Sequence, residues 1–195
     1  MAKRIITISR EFGSGGRFIG EEVAKQLGIK YYDKDIISQI AETSGFSQEY
    51  IEKTSELSPK KGLFAYAFAG RDITGKSVED MVYEAQRKVI LDIAEKESCV
   101  IIGRNADFIL KDRCDVLNVF IHGDEPEKVQ RICSLYHVLE DEAVKMMTDI
   151  DKRRMTNYRF YTEQKWGMAC NYTLALNSSD LGYDLCEKII IECAG

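Results

Sequence analysis

The stretch 4–20 constrains this chain most. An apolar, β-branched run (Ile5, Ile6, Thr7, Ile8) passes through Ser9-Arg10-Glu11-Phe12-Gly13-Ser14-Gly15-Gly16-Arg17 straight into an amphipathic segment. Glycines let a backbone take positive φ and come close to an anion. The unpaired N–H groups of a helix's first turn then point at that anion with the helix dipole behind them. Such a turn between a buried strand and a helix reads as a phosphate cradle, and hence as a nucleotide site. Arg17 in the first helical turn is opposed by the dipole, which a bound anion would relieve. An ordinary strand-to-helix turn is the competing reading.

The loop departs from the usual phosphate-loop pattern G-x-x-x-x-G-K-[ST], in which the lysine reaches the terminal phosphates and the hydroxyl holds magnesium. With Gly15 on the second glycine, Arg10 falls on the first, Gly16 on the lysine and Arg17 on the hydroxyl.

At 195 residues the chain is long enough for one domain with a sizeable core, or one core with insertions. A net charge of −5 argues against broad nucleic-acid binding. Cys99, Cys114, Cys133, Cys170, Cys186 and Cys193 include no C-x-x-C pair, a poor pattern for zinc or for a disulfide scaffold. Reduced thiols, a first strand starting at once and no apolar run of about 20 residues suggest a soluble, cytoplasmic protein without signal peptide or membrane span.

Apolar spacing predicts a helix over 17–27 with Gly28 as its stop, a short strand over 29–32, and a helix carrying Ile36, Ile37 and Ile40 with Asp33 as its N-cap. From 45 to 76 short helical pieces such as 47–54 alternate with loop-rich stretches at 58–62 and 70–75, which reads as a mobile insertion. Ser77 caps a long helix through Glu97. Cys99-Val100-Ile101-Ile102 reads as a strand buried on both faces, followed by a strand over 116–121. Asp124, Pro126 and Glu127 predict a capped helix start. A charged helical segment over 140–165, a strand over 172–176 and a helix over 181–193 complete the pattern. Strands alternating with helices make an α/β fold with a doubly wound parallel sheet.

In such a sheet the ligand lies beyond the carboxyl ends of the strands. Arg104, leaving a buried strand behind Gly103, is placed to clamp a phosphate; an ion pair with Asp107 or Asp112 is the alternative. Asp33 serves as a helix cap, a ligand contact, or both. Lys152-Arg153-Arg154 and Arg159 read either as a solvated helix face or as arginines closing over a transferring phosphoryl group. Helical geometry puts 154 and 158 on one face and 152, 156 and 159 on another, so two or three of these charges at most point inward together. Asp151 would orient an arginine or pair with one. His122 and His137 read as structural, and Trp166 as core packing or, less simply, base stacking.

Taken together, Ile6-Thr7-Ile8-Ser9-Arg10-Glu11-Phe12 with Gly13-Ser14-Gly15-Gly16-Arg17, Tyr31-Tyr32-Asp33-Lys34, Val100 through Gly103-Arg104, and Asp151 through Arg154 with Tyr158, Tyr161, Trp166-Gly167 and Asn171-Tyr172 resemble the cytidylate kinase-like family, a divergent branch of the P-loop nucleoside monophosphate kinases. The resemblance implies a P-loop NTPase-type sheet in one kinase-like domain spanning 1–195. Its core would be about 1–45, 98–133 and 171–195, with a helical monophosphate-binding insertion at about 46–97 and a helical lid at about 134–170. It implies ATP and Mg2+ as cofactors, no particular residue being assigned to the metal, and phosphoryl transfer to a small acceptor, a pyrimidine nucleoside monophosphate such as CMP or dCMP. Gly13, Ser14, Gly15, Gly16, Arg17 and Arg131 would hold ATP, Asp33 and Arg104 the acceptor, and Arg17, Arg153, Arg154 and Arg159 the transferring group. Cytidylate kinases proper keep Gly at the position of Arg10, Lys at Gly16 and a Thr near Phe18, so Arg10 or Arg17 would have to replace the lysine's charge. A nucleotide-binding regulator without catalysis, and a kinase of another small molecule, are the alternatives.

Overall fold

The computed structural model describes residues 5–57 and 77–195. The loops expected at 58–62 and 70–75, and the mobility expected of them, lie outside the described residues. Among the described residues five strands form one sheet: β1 (Ile5–Arg10), β2 (Lys30–Tyr32), β3 (Cys99–Ile102), β4 (Val116–His122) and β5 (Leu174–Asn177). Their order is β2-β3-β1-β4-β5, and every pairing is parallel. Central β1 is buried along its whole length, with Ile5 opposite Cys99 on one side and Val116 on the other.

The helices are α1 (Gly16–Leu27), α2 (Asp35–Ser44), α3 (Gln48–Thr54), α4 (Val78–Lys96), α5 (Ala106–Ile109), α6 (Glu125–Tyr136), α7 (Glu140–Thr162), α8 (Ser178–Leu181) and α9 (Tyr183–Ala194). Strand side chains alternate between faces. Ile6, Ile8, Val100 and Ile102 therefore pack with Ile19 and Val23 of α1 and Ile190 of α9. Ile5, Cys99 and Ile101 face the other way, onto Ile36 and Ile40 of α2 and Val82, Val89, Ile90 and Ile93 of α4. Each fully buried Ile contributes about 1.5–3 kcal/mol, so the continuous apolar strands are explained by helices covering both faces. A smaller cluster, Val129, Ile132, Ala143 and Met147, joins α6 to α7 and takes in Phe12 from the loop after β1.

Ser47 and Ser77 cap α3 and α4, the latter in a reciprocal capping box with Asp80. Four expectations fail locally. Asp33 is not a cap: Lys34 holds that position, and the buried Asp33 carboxylate pairs instead with Arg17. Asp124 stands at the N-cap of α6 without a capping bond, because its side chain accepts from Asn177 Nδ2 at 3.2 Å. The charged segment ends at Thr162, not near Lys165: Glu163 turns left-handed (φ 59°), and Gln164 N donates to Thr162 Oγ1 at 3.1 Å. The last strand also starts two residues later than the apolar run suggests, after a 3₁₀ turn at Ala169–Asn171.

Candidate active site

The carboxyl end of β1 builds the centre of the site. Glu11 N extends the sheet ladder to Ile121 O (2.9 Å), and the chain then turns through Gly13 (φ 86°) and Gly15 (φ 79°) into α1. Both glycines are needed sterically: a Cβ on Gly13 would lie 2.8 Å from Lys128 O, and one on Gly15 would lie 2.6 Å from the Tyr183 ring. Gly15 is the left-handed N-cap of α1, and no side chain caps the helix's first-turn N–H groups. The turn is pinned from outside. Ser178 Oγ donates to Ser14 O (2.7 Å), and Phe12 N donates to Asp151 Oδ1 (2.8 Å) on α7. A Cβ on Gly16 would fall 2.5 Å from Arg10 Cβ. The absent lysine and the arginine six residues earlier are thus two sides of one packing arrangement.

On one flank of the loop, a cavity of about 610 Å3 opens against Gly13 and Ser14, walled by Lys128, Arg131, Ser178 and Tyr183. Arg131 Nη1 donates to Tyr183 Oη (2.8 Å), and its guanidinium lies 5.0 Å from that ring's centre. Lys128 Nζ donates to Glu11 Oε2 (2.7 Å), placing an ammonium beside the loop. Arg131 also lines a narrower recess with Arg10, Arg17 and Arg154.

On the other flank stands a buried cluster of charge. Arg10 is hydrogen-bonded to Glu56 through both Nη atoms, and Arg154 Nε lies 3.7 Å from Glu56 Oε1. Arg154 Nη1 also donates to Arg10 O (3.1 Å) and Asp151 Oδ1 (3.3 Å). Arg104 donates to Ser55 Oγ and to Asp33 O (3.2 Å), so neither Asp107 nor Asp112 pairs with it. Arg17 Nε lies 2.9 Å from Asp33 Oδ2, with the arginine side chain half exposed. Burial alone would raise the Glu56 carboxyl, but the charges of Arg10, Arg154 and Arg104 hold it well below the usual carboxylate range. Burial beside the like charge of Arg10 pulls Arg154 down to about 10. Burial lowers Arg104 as well, though Glu56 and Asp33 oppose it.

The predicted residues separate accordingly. Gly13, Ser14, Gly15, Gly16 and Arg131 meet at the loop and its cavity; Asp33, Arg104, Arg154 and Arg17 meet at the charge cluster. Arg159 lies apart from both groups. Arg153 faces Asp149 (3.8 Å), and Arg159 lines a separate cavity of about 480 Å3 with Trp166 and Lys165. Trp166 packs edge-on against Phe120 (5.2 Å). Arg10 and Arg17 both turn toward carboxylates of the charge cluster, whereas Lys128 stands at the loop. Lys128 and Glu56 escaped the sequence reading. The spacing of Lys128 and Arg131 one helical turn apart was a usable signal for the first; nothing in the sequence flagged the second.

Behind the cluster, Tyr158 Oη donates to Asp107 Oδ2 (2.7 Å), joining α7 to α5. Burial pushes the Asp107 carboxyl up to about 6.

Similarity to known proteins agrees with this geometry. No curated protein matches the sequence. An uncharacterized protein from Eubacterium ventriosum superposes with TM-score 0.75 and 28% identity, covering 97% of each chain. Shikimate kinase from Bacteroides thetaiotaomicron superposes with TM-score 0.54 at 15% identity, covering 97% of this chain and 96% of that one. Shikimate kinase from Acinetobacter baumannii, solved with shikimate, gives TM-score 0.51 at 14% identity, over 97% and 91%. The parallel sheet with its loop is therefore a P-loop NTPase fold. With the family model matching residues 5–180, the chain belongs to the cytidylate kinase-like family.

Proposed function

We propose that the protein transfers the γ-phosphoryl group of ATP to a small acceptor bearing a phosphate, a pyrimidine nucleoside monophosphate such as CMP or dCMP. One observation carries the reading: the Gly13–Arg17 loop borders both a cavity edged by Lys128 and Arg131 and a recess lined by Arg10, Arg17 and Arg154, and Arg10 and Arg154 also line the buried pocket that holds Arg104. Donor and acceptor phosphates bound on the two flanks would meet at the loop.

The first-turn N–H groups of α1 would take the donor phosphates, and Arg131 with Tyr183 would border the base and ribose. Lys128 would supply the cation that Gly16 does not. Arg104 would hold the acceptor phosphate, with Asp33 and Arg17 fixing the floor beside it. Arg154, on the helix proposed as the lid, would span both phosphates and neutralise charge as it moves between them. An acceptor that is already an oxyanion needs little help from a general base.

Among the described residues, no group of three or more His, Cys, Asp or Glu could hold a metal ion. Mg2+ would enter with the donor phosphates, held by phosphate and water oxygens. Bound there, Mg2+ would neutralise charge on the donor phosphates. No helix among the described residues is long and apolar enough to cross a membrane.

Glycine at position 16 favours a second reading, a nucleotide-binding regulator without turnover. A coupled assay of ADP release from Mg·ATP, with CMP, dCMP, UMP and shikimate as acceptors, separates the two. Acceleration by a pyrimidine monophosphate supports the kinase reading. ATP binding without acceleration by any acceptor supports the regulator.

A further inference from the structure

Three guanidinium groups converge at the carboxyl ends of β1 and β3 with almost no exposure: 3% for Arg10, 4% for Arg104 and 9% for Arg154. The Glu56 carboxylate reaches into them from just beyond α3, bonded to Arg10 and 3.7 Å from Arg154, while the neighbouring Ser55 takes a hydrogen bond from Arg104. It lies directly over Gly103 (φ 65°), where any Cβ would overlap both the carboxylate and the Arg10 guanidinium.

This arrangement leaves the cluster short of acceptors. Among the described residues, the buried Nε groups of Arg10, Arg104 and Arg154 find no hydrogen-bond partner. Buried charged donors in that state are costly. Among the described residues, the charges acting on one another here are the guanidiniums of Arg10, Arg17, Arg104 and Arg154 and the carboxylates of Asp33, Glu56 and Asp151, four against three. Exchanging the single negative charge of Glu56 for a dianion would bring the set to neutrality. A phosphate monoester also brings three terminal oxygens, enough to serve the three stranded Nε groups.

We infer that Glu56 is a built-in competitor for the phosphate group of the acceptor: it fills the Arg10–Arg104–Arg154 recess, and the acceptor binds by expelling it. Only in naming the occupant as an acceptor does this rest on the function proposed above. Glu56 thereby sets the threshold for acceptor binding, favouring groups of charge −2 over single carboxylates, which would replace it like for like.

Calorimetric and thermal-shift titrations at fixed ionic strength and pH 7.5 test this, with inorganic phosphate and acetate as separate probes and no ATP. Glu56→Gln is expected to bind phosphate at least tenfold more tightly than the wild type, with a larger phosphate-induced rise in Tm. The gain should vanish in Glu56→Gln/Arg104→Ala, which separates this recess from the glycine loop. A Glu56→Gln protein that folds only when phosphate is added supports the inference in the same way. Unchanged phosphate affinity and Tm response overturn it, and an equal gain for acetate overturns the assignment to phosphate. Because nothing turns over in these titrations, a protein inactive as a kinase can still pass, and an active kinase can still fail.

Discussion

Arg10 and Gly16 behave as a matched pair, since a Cβ at position 16 falls 2.5 Å from Arg10 Cβ and 3.3 Å from Ile121 Cβ. Restoring the consensus lysine should therefore harm this loop. Gly16→Lys is expected to lose roughly 1–3 kcal/mol in urea denaturation through overpacking, with part of the loss recovered in Arg10→Gly/Gly16→Lys. A single variant as stable as the wild type would contradict that packing account. At this scale the sequence exposed the residues that sit in local patterns: glycines forced by a tight turn, and an arginine behind Gly103 at the end of an apolar strand. It hid those whose meaning depends on a distant partner. Glu56 meets Arg10 across 46 residues of chain with no local motif, and Lys128 meets Glu11 across 117 with no more local signal than its spacing from Arg131.

Among the elements, α7 is tied down by polar and aromatic contacts more than by aliphatic burial. Asn105 Nδ2 donates to Asn157 Oδ1 (3.2 Å), Tyr161 stacks on Tyr83 at 3.9 Å, and Tyr158 donates to Asp107. Burial raises the folded-state carboxyl of Asp107 from 3.8 to about 6, so the native protein holds this proton more tightly than the unfolded chain does. Its contribution to stability is greatest below pH 4 and is lost as pH rises through 6, by about 3 kcal/mol at most. Asp107→Asn is expected to be more stable than the wild type above pH 6 and equal to it near pH 4, measured by denaturant midpoints across that range. A difference independent of pH would show that Asp107 does not titrate in this way. Tyr158→Phe should cost about 1–3 kcal/mol at pH 7.5, because it removes the hydroxyl that donates to the buried carboxylate; an unchanged midpoint would contradict that role. The strands and capped helices were legible because apolar runs and Ser caps are local. The end of α7 at Thr162 was not, because Glu163 adopts left-handed backbone without a glycine to announce it.

For the molecule as a whole, the five-stranded order places the ends of β1, β3 and β4 side by side, so that a loop read from 17 residues of sequence borders two recesses. The parallel sheet followed from alternating strands and helices. The division of cations between the two flanks did not, since helical spacing says which arginines share a face but not which face turns inward. The most direct test of this two-flank arrangement is acceptor-dependent ADP release by the wild type, Arg104→Ala and Lys128→Ala, with ATP affinity measured alongside by calorimetry. The expected result is a rise in the acceptor KM for Arg104→Ala with ATP affinity retained, and a fall in kcat of about 10²–10³-fold for Lys128→Ala with little change in acceptor KM. Loss of ATP affinity in Arg104→Ala, or full turnover in Lys128→Ala, would contradict the assignment of acceptor and donor to these two sides of the loop.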